Sequence, residues 1–470
     1  MPVDQSKVKS IIQRAQQHPN WWINRILGDV LWHKQVEILE SVRDNQETAV
    51  ASCHGAGKSF TAARLALAYL CSHKPSIVIT TAPTDRQVKG ILWKEIRLAH
   101  QRARMPIGGK LLTQELKLDT NWWAWGFTAP DRDPDRFQGW HETHILVIVD
   151  EACGVSENIY EAIDGVLTSE HARLLMIGNP TDASGRFGKA FKTAGVKKIR
   201  ISAYDTPNFT TFGITEEDVR LGNWQDKIAG ASLPAPYLVT PQWVATRYQR
   251  WGPTSSLYQA RVLGQFPEQG SDTLIPLAWI EAAQARQLKP GAPIQLGVDV
   301  ARYGEDETVL YLRRGSVVRM HGSHAMSTTM ETVGWTVHAM DETDAEIAKV
   351  DADGIGAGVY DRLVELGRSV YEIRGGMTAS DPERFANRRA EWYWGLRERF
   401  ETGDIDIPED DDELASQLAN LKWKVNSRGQ IIIESKDEMK KRGLSSPDRA
   451  DGVCYAFATP TDAEDGFRLL

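Results

Sequence analysis

The chain has 470 residues, of which 41% are hydrophobic and 25% charged, as expected for a globular protein of roughly two to four domains. No apolar run approaches the about 18 residues of a membrane span, and the polar N-terminus lacks a signal-peptide core, so we expect a cytoplasmic protein without a membrane partner. The net charge of −8 argues against a uniformly basic surface, and four scattered cysteines without a CxxC pair indicate neither a zinc site nor a disulfide framework.

The first 205 residues alternate between apolar strand-like segments and helical segments. The predicted helices are "FTAARLALAYLCSH" and "TDRQVKGILWKEIRLAHQRAR", the second capped by Thr84. The predicted strands are "TAVASCHG", "PSIVITTAPT", "HILVIVDEA", "RLLMIGNP" and "VKKIRISAY". Strands that alternate with helices predict an α/β fold with a parallel sheet covered on both faces.

The first strand runs into the glycine-containing loop "SCHGAGKS", and a helix follows, which is the context of a P-loop. In a P-loop, backbone N–H groups and the helix N-terminus hold phosphate, the lysine reaches the β- and γ-phosphates, and the hydroxyl binds Mg²⁺. The sequence therefore predicts an ATP site. Its candidate residues are Ser52, His54, Gly55, Ala56, Gly57, Lys58 and Ser59. Ser52 replaces the usual first glycine, which serine can do at a modest cost in the turn.

A later apolar strand, "ILVIVDEA", ends in two acidic residues. We assign Asp150 to the Mg²⁺ shell and Glu151 to polarising the attacking water. The alternative is a strand that ends at a solvated acidic pair.

Three further residues fit a nucleotide site less specifically. Gln35 precedes the loop and could bond an adenine edge, Arg136 precedes the acidic strand and could stabilise charge, and Asn179 could sense the γ-phosphate. The alternatives are surface polar residues for the first two and a strand cap for Asn179.

The stretch 183–200 holds six basic residues and no acidic residue. It is a candidate contact for a phosphate backbone, although a solvated basic surface is the equally simple alternative.

The character of the sequence changes after residue 205. Residues 206–288 are turn-rich with two short helical stretches, 241–251 and 275–287, and predict a connecting subdomain between domains at 1–205 and 289–470. The last part predicts strands, a helix over 383–402 and a final helix. Its strand segments are "IQLGVDVA", a hairpin around Arg314-Gly315, "EIAKVDADG", "SVYEIRGG" and a hairpin in "KWKVNSRGQIIIES".

Three aspartates of this last part suggest a second site. Asp299 and Asp351 lie on predicted strands and Asp451 on the final helix, and such a set can hold two Mg²⁺ or Mn²⁺ ions for phosphodiester hydrolysis. Residues that could assist are Asp306, Asp353 and Asp448. The alternative is that acidic residues are common at strand ends. The glycines of "DGIGAG" do not match a dinucleotide-binding motif and indicate a tight turn instead.

The order of these motifs, from about residue 31 to 457, resembles the large subunit of a tailed-bacteriophage DNA-packaging terminase. The matching segments are Gln35, "SCHGAGKS", "VIVDEA", "IGNP", "YDTPNF", "GVDVARYGEDETV", "VDADGIGAG", "NRRAEWYW" and "SPDRADGV". In that family a departure at the first P-loop glycine is common.

The resemblance implies an N-terminal ATPase of the additional-strand type and a C-terminal nuclease of the RNase H-like fold. It implies that ATP hydrolysis moves double-stranded DNA into a procapsid and that a metal-dependent endonuclease cuts the concatemer. It assigns phosphate and metal to Lys58, Ser59 and Asp150, and catalysis to Glu151, with Arg136 near the position of an arginine finger. Asp299, Asp351 and Asp451 match the nuclease metal ligands. The implied partners are a terminase small subunit, the portal and other copies of this chain in a ring at the procapsid portal vertex in the host cytoplasm.

Two other functions remain as alternatives. A helicase or repair ATPase fused to a nuclease should carry motor motifs in a second RecA-like domain, and the sequence contains one P-loop half. A nucleotide-binding assembly protein without catalysis would need neither Glu151 nor the three aspartates.

Overall fold

The computed structural model describes residues 5–128, 142–267, 272–301 and 307–459, which form two compact units. One unit lies within Met1–Gln249 and Tyr258–Pro267, and the other within Arg250–Leu257 and Glu268–Leu470. The three-part division at residues 205 and 288 stays a prediction. No described helix is both long and apolar enough to cross a lipid bilayer.

An eight-stranded sheet organises the first unit. Its strands are β1 Glu47–Ser52, β2 Ser76–Thr81, β3 Lys110–Leu111, β4 Glu115–Asp119, β5 Trp122–Gly126, β6 Ile145–Asp150, β7 Arg173–Gly178 and β8 Lys197–Ile201. Their order across the sheet is β3-β4-β5-β2-β6-β7-β1-β8. The strands from β5 to β8 pair in parallel, whereas β3 and β4 add an antiparallel edge.

The position of β7 confirms the additional-strand arrangement. β7 lies between β1, which leads into the glycine loop, and β6, which ends in the acidic pair. Every residue of β2 and β6 is buried, because helices cover both faces of a parallel sheet. The carboxyl ends of β1, β6 and β7 therefore meet at one edge, where the candidate nucleotide residues lie.

Among the described residues, sixteen stretches of helix or helical turn surround this sheet or follow it up to residue 261: twelve α-helices, two π-helical segments and two 3₁₀ turns. The α-helices are α1 Gln5–Gln17, α2 Pro19–Trp22, α3 His33–Asp44, α4 Lys58–Ser72, α5 Trp93–Arg102, α6 Glu157–Val166, α7 Arg186–Ala190, α8 Pro207–Thr210, α9 Glu216–Leu221, α10 Trp224–Ile228, α11 Pro241–Trp251 and α12 Ser256–Arg261. The π-helical segments are Ile23–Leu27 and Arg86–Leu92, and the 3₁₀ turns are Ala152–Gly154 and Ala203–Asp205.

Two sequence predictions for this unit need correction. The segment after residue 84 is not one α-helix, because its first part is π-helical, although Thr84 does cap it by accepting a hydrogen bond from the Gln87 N–H at 3.3 Å. The strands β3 to β5 were not predicted. Trp122 and Trp123 belong to β5, which pairs in parallel with β2, so these tryptophans are part of the sheet.

A five-stranded sheet organises the second unit. Its strands are β9 Ile294–Asp299, β10 Glu307–Arg314, β11 Val317–Ala325, β12 Ile347–Asp351 and β13 Val370–Ile373. The order is β11-β10-β9-β12-β13, in which β9, β10 and β11 are antiparallel neighbours and β9, β12 and β13 are parallel. This order confirms the RNase H-like fold, and the turn between β10 and β11 confirms the hairpin at Arg314.

Helices pack around this second sheet. They are α13 Leu277–Ala285, α14 Thr329–Thr343, α15 Gly356–Glu365, α16 Arg388–Thr402, α17 Asp412–Asn420, α18 Lys436–Lys441 and α19 Asp448–Phe457, and a separate hairpin joins β14 Trp423–Val425 to β15 Ile431–Ile433. The last helix, α19, approaches β9 very closely, since a Cβ atom on Gly297 would lie 2.2 Å from the Gly452 carbonyl oxygen. Glycine at position 297 thus lets α19 bring Asp451 to the sheet.

Candidate functional site

The glycine loop has the backbone conformation that a phosphate cradle needs. Gly55 and Gly57 have φ angles of +66° and +81°, a region that favours glycine, and α4 begins at Lys58. Gln35 is buried beside the loop, and a side chain at position 57 would come within 2.8 Å of its amide nitrogen. The loop therefore presents backbone N–H groups at the N-terminus of a 15-residue helix, a favourable place for an anion.

Lys58 and Asn179 contact each other near the carboxyl ends of the neighbouring strands β1 and β7. The Lys58 ammonium donates a hydrogen bond to Asn179 Oδ1 at 3.0 Å, and the Asn179 amide donates to the Ser52 carbonyl oxygen at 2.8 Å. Asn179 follows β7, which lies next to β1, so the sheet order brings these residues together. Asn179 thus connects the Lys58 ammonium to the end of β1 through two hydrogen bonds.

Ser59 and the acidic pair form the other side of this site. The Ser59 hydroxyl donates to Asp150 Oδ2 at 2.8 Å, and Glu151 Oε1 lies 3.8 Å from the Lys58 nitrogen. Burial raises the pKa of Asp150 to about 6, and the neighbouring charge of Glu151 adds to this effect. A cation next to Asp150 would offset both, so the arrangement suits a metal-bound nucleotide.

Glu151 adopts an unusual backbone conformation for a residue other than glycine, with φ of +48°. The residue on the next strand is Gly178, and a Cβ there would lie 2.8 Å from the Ala152 nitrogen. The chain therefore turns sharply after Asp150, and Glu151 is left one-third exposed beside Lys58. Strain of this kind often accompanies a functional position.

The remaining nucleotide candidates occupy different surroundings. The Ser52 hydroxyl donates to the Cys53 carbonyl oxygen at 3.2 Å, so the side chain that replaces the usual glycine is used within the turn. His54 is exposed and its ring stacks on Trp243, with centroids 6.2 Å apart. Ala56 is buried. Arg136 lies outside the described residues, and its assignment stays a prediction.

A segment that sequence reasoning missed lies directly on the loop. The Val239 N–H donates to the Gly55 carbonyl oxygen at 2.9 Å, and Leu238 contacts the position of Gly57. Asn208 holds this segment, because its buried amide donates to the carbonyl oxygens of Ala235 at 2.8 Å and Val239 at 3.0 Å. The motif "YDTPNF" contains Asn208, and this contact gives that motif a physical role.

The three aspartates of the second unit converge. Asp299 and Asp351 end the adjacent parallel strands β9 and β12, whose register pairs Val298 with Val350. Asp451 is fully buried on α19, which packs on β9. The structure thus brings together the three residues that the sequence singled out.

Lys436, at the start of α18, lies among these carboxylates and was not predicted. Its ammonium is 3.0 Å from Asp451 Oδ2, 3.5 Å from Asp448 Oδ1 and 3.8 Å from Asp299 Oδ2. Burial raises the pKa of Asp299 well above its usual range, whereas Lys436 and Arg389 together outweigh burial and lower the pKa of Asp451. The Lys436 ammonium thus offsets part of the negative charge of the cluster.

The carboxylate cluster has the donor chemistry of a divalent-metal site. In the described part of the chain, no three histidine, cysteine, aspartate or glutamate side chains are arranged to hold a metal ion as they stand. However, the cluster offers only carboxylate oxygens, the ligands that Mg²⁺ and Mn²⁺ prefer, and the buried Asp451 Oδ2 faces the Lys436 ammonium at 3.0 Å. Since the Lys436 side chain is 40% exposed, it can leave. The residues fit a divalent cation that replaces this ammonium.

The supporting acidic residues differ in position. Asp448 is buried and accepts a hydrogen bond from the Glu307 N–H at 3.0 Å, whereas Asp353 is exposed and its N–H donates to Asp351 Oδ1 at 2.9 Å. Asp306 lies outside the described residues. In "DGIGAG", a Cβ on Gly356 would lie 1.7 Å from the Asp351 carbonyl oxygen, so the glycine allows the tight turn that the sequence indicated.

Comparison with known proteins supports the resemblance that the motifs indicated. The chain is 27% identical to a probable terminase large subunit of Enterobacteria phage P7, in a match that covers 92% of this chain and 89% of that protein. No protein-family model matches the chain. The whole-length match confirms the resemblance to terminase large subunits.

Solved structures are similar at a lower level. The nuclease domain of the large terminase subunit of bacterial virus Sf6 is 22% identical with a TM-score of 0.38, and it covers 40% of this chain and 100% of that domain. A large terminase of a thermophilic bacteriophage, in complex with ADP, is 12% identical with a TM-score of 0.40, covering 91% of this chain and 99% of that one.

Proposed function

We propose that the chain is a DNA-packaging motor that uses ATP to move double-stranded viral DNA into a procapsid and cuts concatemeric DNA with a metal-dependent endonuclease. The observation that carries the proposal is the presence of two chemically distinct sites in one chain. One is the loop with Lys58, Ser59 and the Asp150–Glu151 pair, and the other is the carboxylate cluster around Lys436. The whole-length similarity to a probable terminase large subunit supports the pairing.

In the first site, ATP binding would use groups that now contact each other. The γ-phosphate would draw Lys58 from Asn179, which lies 3.0 Å away, and Ser59 with Asp150 would hold the Mg²⁺ that accompanies the nucleotide. Glu151, partly exposed beside Lys58, would accept a proton from the attacking water. Asn179 would then return to Lys58 after phosphate release, which links hydrolysis to the end of β1.

In the second site, Asp299, Asp351 and Asp451 would hold Mg²⁺ or Mn²⁺. When bound, the metal supplies activation of water and stabilisation of charge on a phosphodiester. The chain itself supplies three carboxylates fixed by two strands and a helix, and Lys436 fills the cluster in the absence of another cation. This ammonium would offset the electrostatic repulsion between the carboxylates until a metal ion binds.

The partners of such a motor are a small subunit, the portal of the procapsid and other copies of this chain in a ring, in the host cell at the portal vertex. These follow from the family resemblance. The alternative of a helicase with two RecA-like halves is less well supported, because the second sheet has the order β11-β10-β9-β12-β13 with antiparallel neighbours, unlike the parallel first sheet.

The test separates the two activities in the purified full chain. Lys58→Ala should abolish DNA-stimulated ATP hydrolysis and retain Mn²⁺-dependent cutting of plasmid DNA, whereas Asp351→Asn should abolish cutting and retain hydrolysis. Packaging of DNA into procapsids in a reconstituted reaction should need intact Lys58. Hydrolysis that survives in Lys58→Ala, or cutting that survives in Asp351→Asn, would refute the corresponding site.

A further inference from the structure

The helix α16 carries the motif "NRRAEWYW", to which the proposed function assigns no role, and it contacts the metal-ligand candidate Asp451. Tyr393 of this helix is completely buried, and its hydroxyl donates a hydrogen bond to Asp451 Oδ1 at 2.5 Å. Asp451 is equally inaccessible. A buried tyrosine that donates to a buried carboxylate fixes the orientation of that carboxylate, because turning it would leave both groups unpaired.

A second residue of the same motif faces the same oxygen. The Arg389 Nη2 atom lies 3.7 Å from Asp451 Oδ1, and the Arg389 Nη1 atom donates to the Glu434 carbonyl oxygen at 2.7 Å. Glu434 is two residues before Lys436. Arg389 therefore contacts both the Asp451 carboxylate and the segment that carries the Lys436 ammonium, which occupies the place proposed for the metal. The guanidinium also lies over the Tyr393 ring, 5.0 Å from its centroid.

The two oxygens of Asp451 therefore have different surroundings. Oδ1 receives the Tyr393 hydroxyl and faces Arg389, while Oδ2 lies 3.0 Å from the Lys436 ammonium. Tyr393 therefore holds Asp451 so that Oδ2 faces the ammonium that a metal ion would replace. The unequal pairing leaves one oxygen available for a cation.

We propose that Tyr393 is a positioning residue of the nuclease, which together with Arg389 engages Asp451 Oδ1 and so presents Oδ2 to the divalent metal. The inference rests on the proposed function of the carboxylate cluster, and it names the residues that orient one of its ligands. Tyr393 does not touch the substrate. It acts through Asp451, as the hydrogen-bonding partners of metal ligands generally do.

The test compares Tyr393→Phe with Tyr311→Phe in the full chain. Tyr311 is a matched control because it is also completely buried in this unit and its hydroxyl donates to Asp411 Oδ2 at 2.6 Å. Both variants lose one buried tyrosine–aspartate hydrogen bond and should lower the melting temperature by a similar amount. Only Tyr393→Phe should weaken Mn²⁺ binding, by about 10- to 100-fold in calorimetric titration, with a matching rise in the Mn²⁺ concentration needed for cutting.

An unchanged Mn²⁺ affinity in Tyr393→Phe, or an equal loss in Tyr311→Phe, would overturn the positioning role. If Tyr393→Phe does not fold, Arg389→Lys gives the same test. We expect Arg389→Lys to bind Mn²⁺ more weakly, and an unchanged Mn²⁺ affinity of that variant would overturn the proposal. Wild-type chain that binds no Mn²⁺ would overturn both this inference and the proposed nuclease. Wild-type chain that binds Mn²⁺ without cutting DNA would refute the nuclease alone, and a weakened Mn²⁺ affinity of Tyr393→Phe would still support the positioning role.

Discussion

Glu151 combines a positive φ angle, partial exposure and an ammonium group within 3.8 Å. Its neighbour Asp150 is buried and bonded to Ser59, so the two carboxylates have different environments despite being adjacent. Such a difference separates their chemical roles: the buried one suits a metal, and the partly exposed one can reach water.

Replacing Glu151 with glutamine tests its role as the base. Glu151→Gln keeps the size of the side chain and removes its proton-accepting charge, so ATP should bind with near wild-type affinity while turnover falls by about 10²- to 10⁴-fold. Binding is measured with a fluorescent ATP analogue and turnover by phosphate release. Glu157→Gln is the control, since Glu157 is a surface residue paired with Lys189. Normal turnover in Glu151→Gln would exclude the role.

The sequence predicted the positions of several candidate residues where a motif places them at or just after a strand end, while their roles stay predictions. Asp150, Asp299 and Asp351 are the last residues of their strands, and Lys58 begins the helix that follows β1. The carboxyl ends of neighbouring parallel strands meet at one edge of a sheet. Lys436 was missed because it approaches Asp451 from a separate short helix. Tyr393 was quoted within a motif, but a helical tyrosine carries no sequence signal for the side chain that it faces.

At the scale of elements, the segment 235–239 links the nucleotide loop to Asn208. Val239 bonds Gly55 on one side, and Asn208 bonds Ala235 and Val239 on the other, with Asn208 Oδ1 also accepting from the Ala235 N–H at 3.0 Å. The loop and this segment should therefore move together. A change at the phosphate site would be carried to residues outside the sheet.

Removing the Asn208 side chain should loosen the nucleotide loop. Asn208→Ala loses four buried hydrogen bonds, each worth about 0.5–1.5 kcal/mol, so amides 52–60 should exchange faster with deuterium and the KM for ATP should rise by roughly tenfold. Asn420→Ala is the control, because the Asn420 amide is also buried and donates to the Ser416 carbonyl oxygen. Unchanged exchange at 52–60 in Asn208→Ala would show that the segment does not support the loop.

The accuracy of element prediction followed the kind of pattern available. The fully buried strands β2 and β6 were predicted, since a short apolar run between turns is typical of a parallel sheet. The added strands β3 to β5 were not, because "ELKLD" and "WWAWG" lack such a run and their pairing depends on the edge of β2. The hydrogen bonds from Asn208 to the segment 235–239 join parts of the chain that are distant in sequence, so no local sequence pattern predicts them.

At the scale of the whole molecule, a chain of net charge −8 must concentrate positive charge wherever it meets DNA. The basic stretch 183–200 contributes less than its composition suggests, because Arg186 pairs with Glu47 and Asp164, and Lys189 pairs with Glu157. Lys197 and Lys198 stay exposed on β8, the edge strand next to β1. Exposed lysines also protect edge strands from pairing with other chains, so their location has two explanations.

Charge neutralisation separates these explanations. If Lys197 and Lys198 contact phosphates, the double change Lys197→Gln and Lys198→Gln should weaken binding to double-stranded DNA and reduce the slope of log affinity against log salt by about 0.9 per lost contact. The opposite edge of the same sheet supplies a matched control, in which Lys110→Gln and Lys117→Gln change the net charge equally at exposed positions of β3 and β4. Binding is measured by fluorescence anisotropy over a range of salt concentrations. Because a general charge effect acts on both pairs alike, equal slopes for the two double variants would assign Lys197 and Lys198 to edge protection, whereas a shallower slope confined to the β8 pair places DNA along that edge.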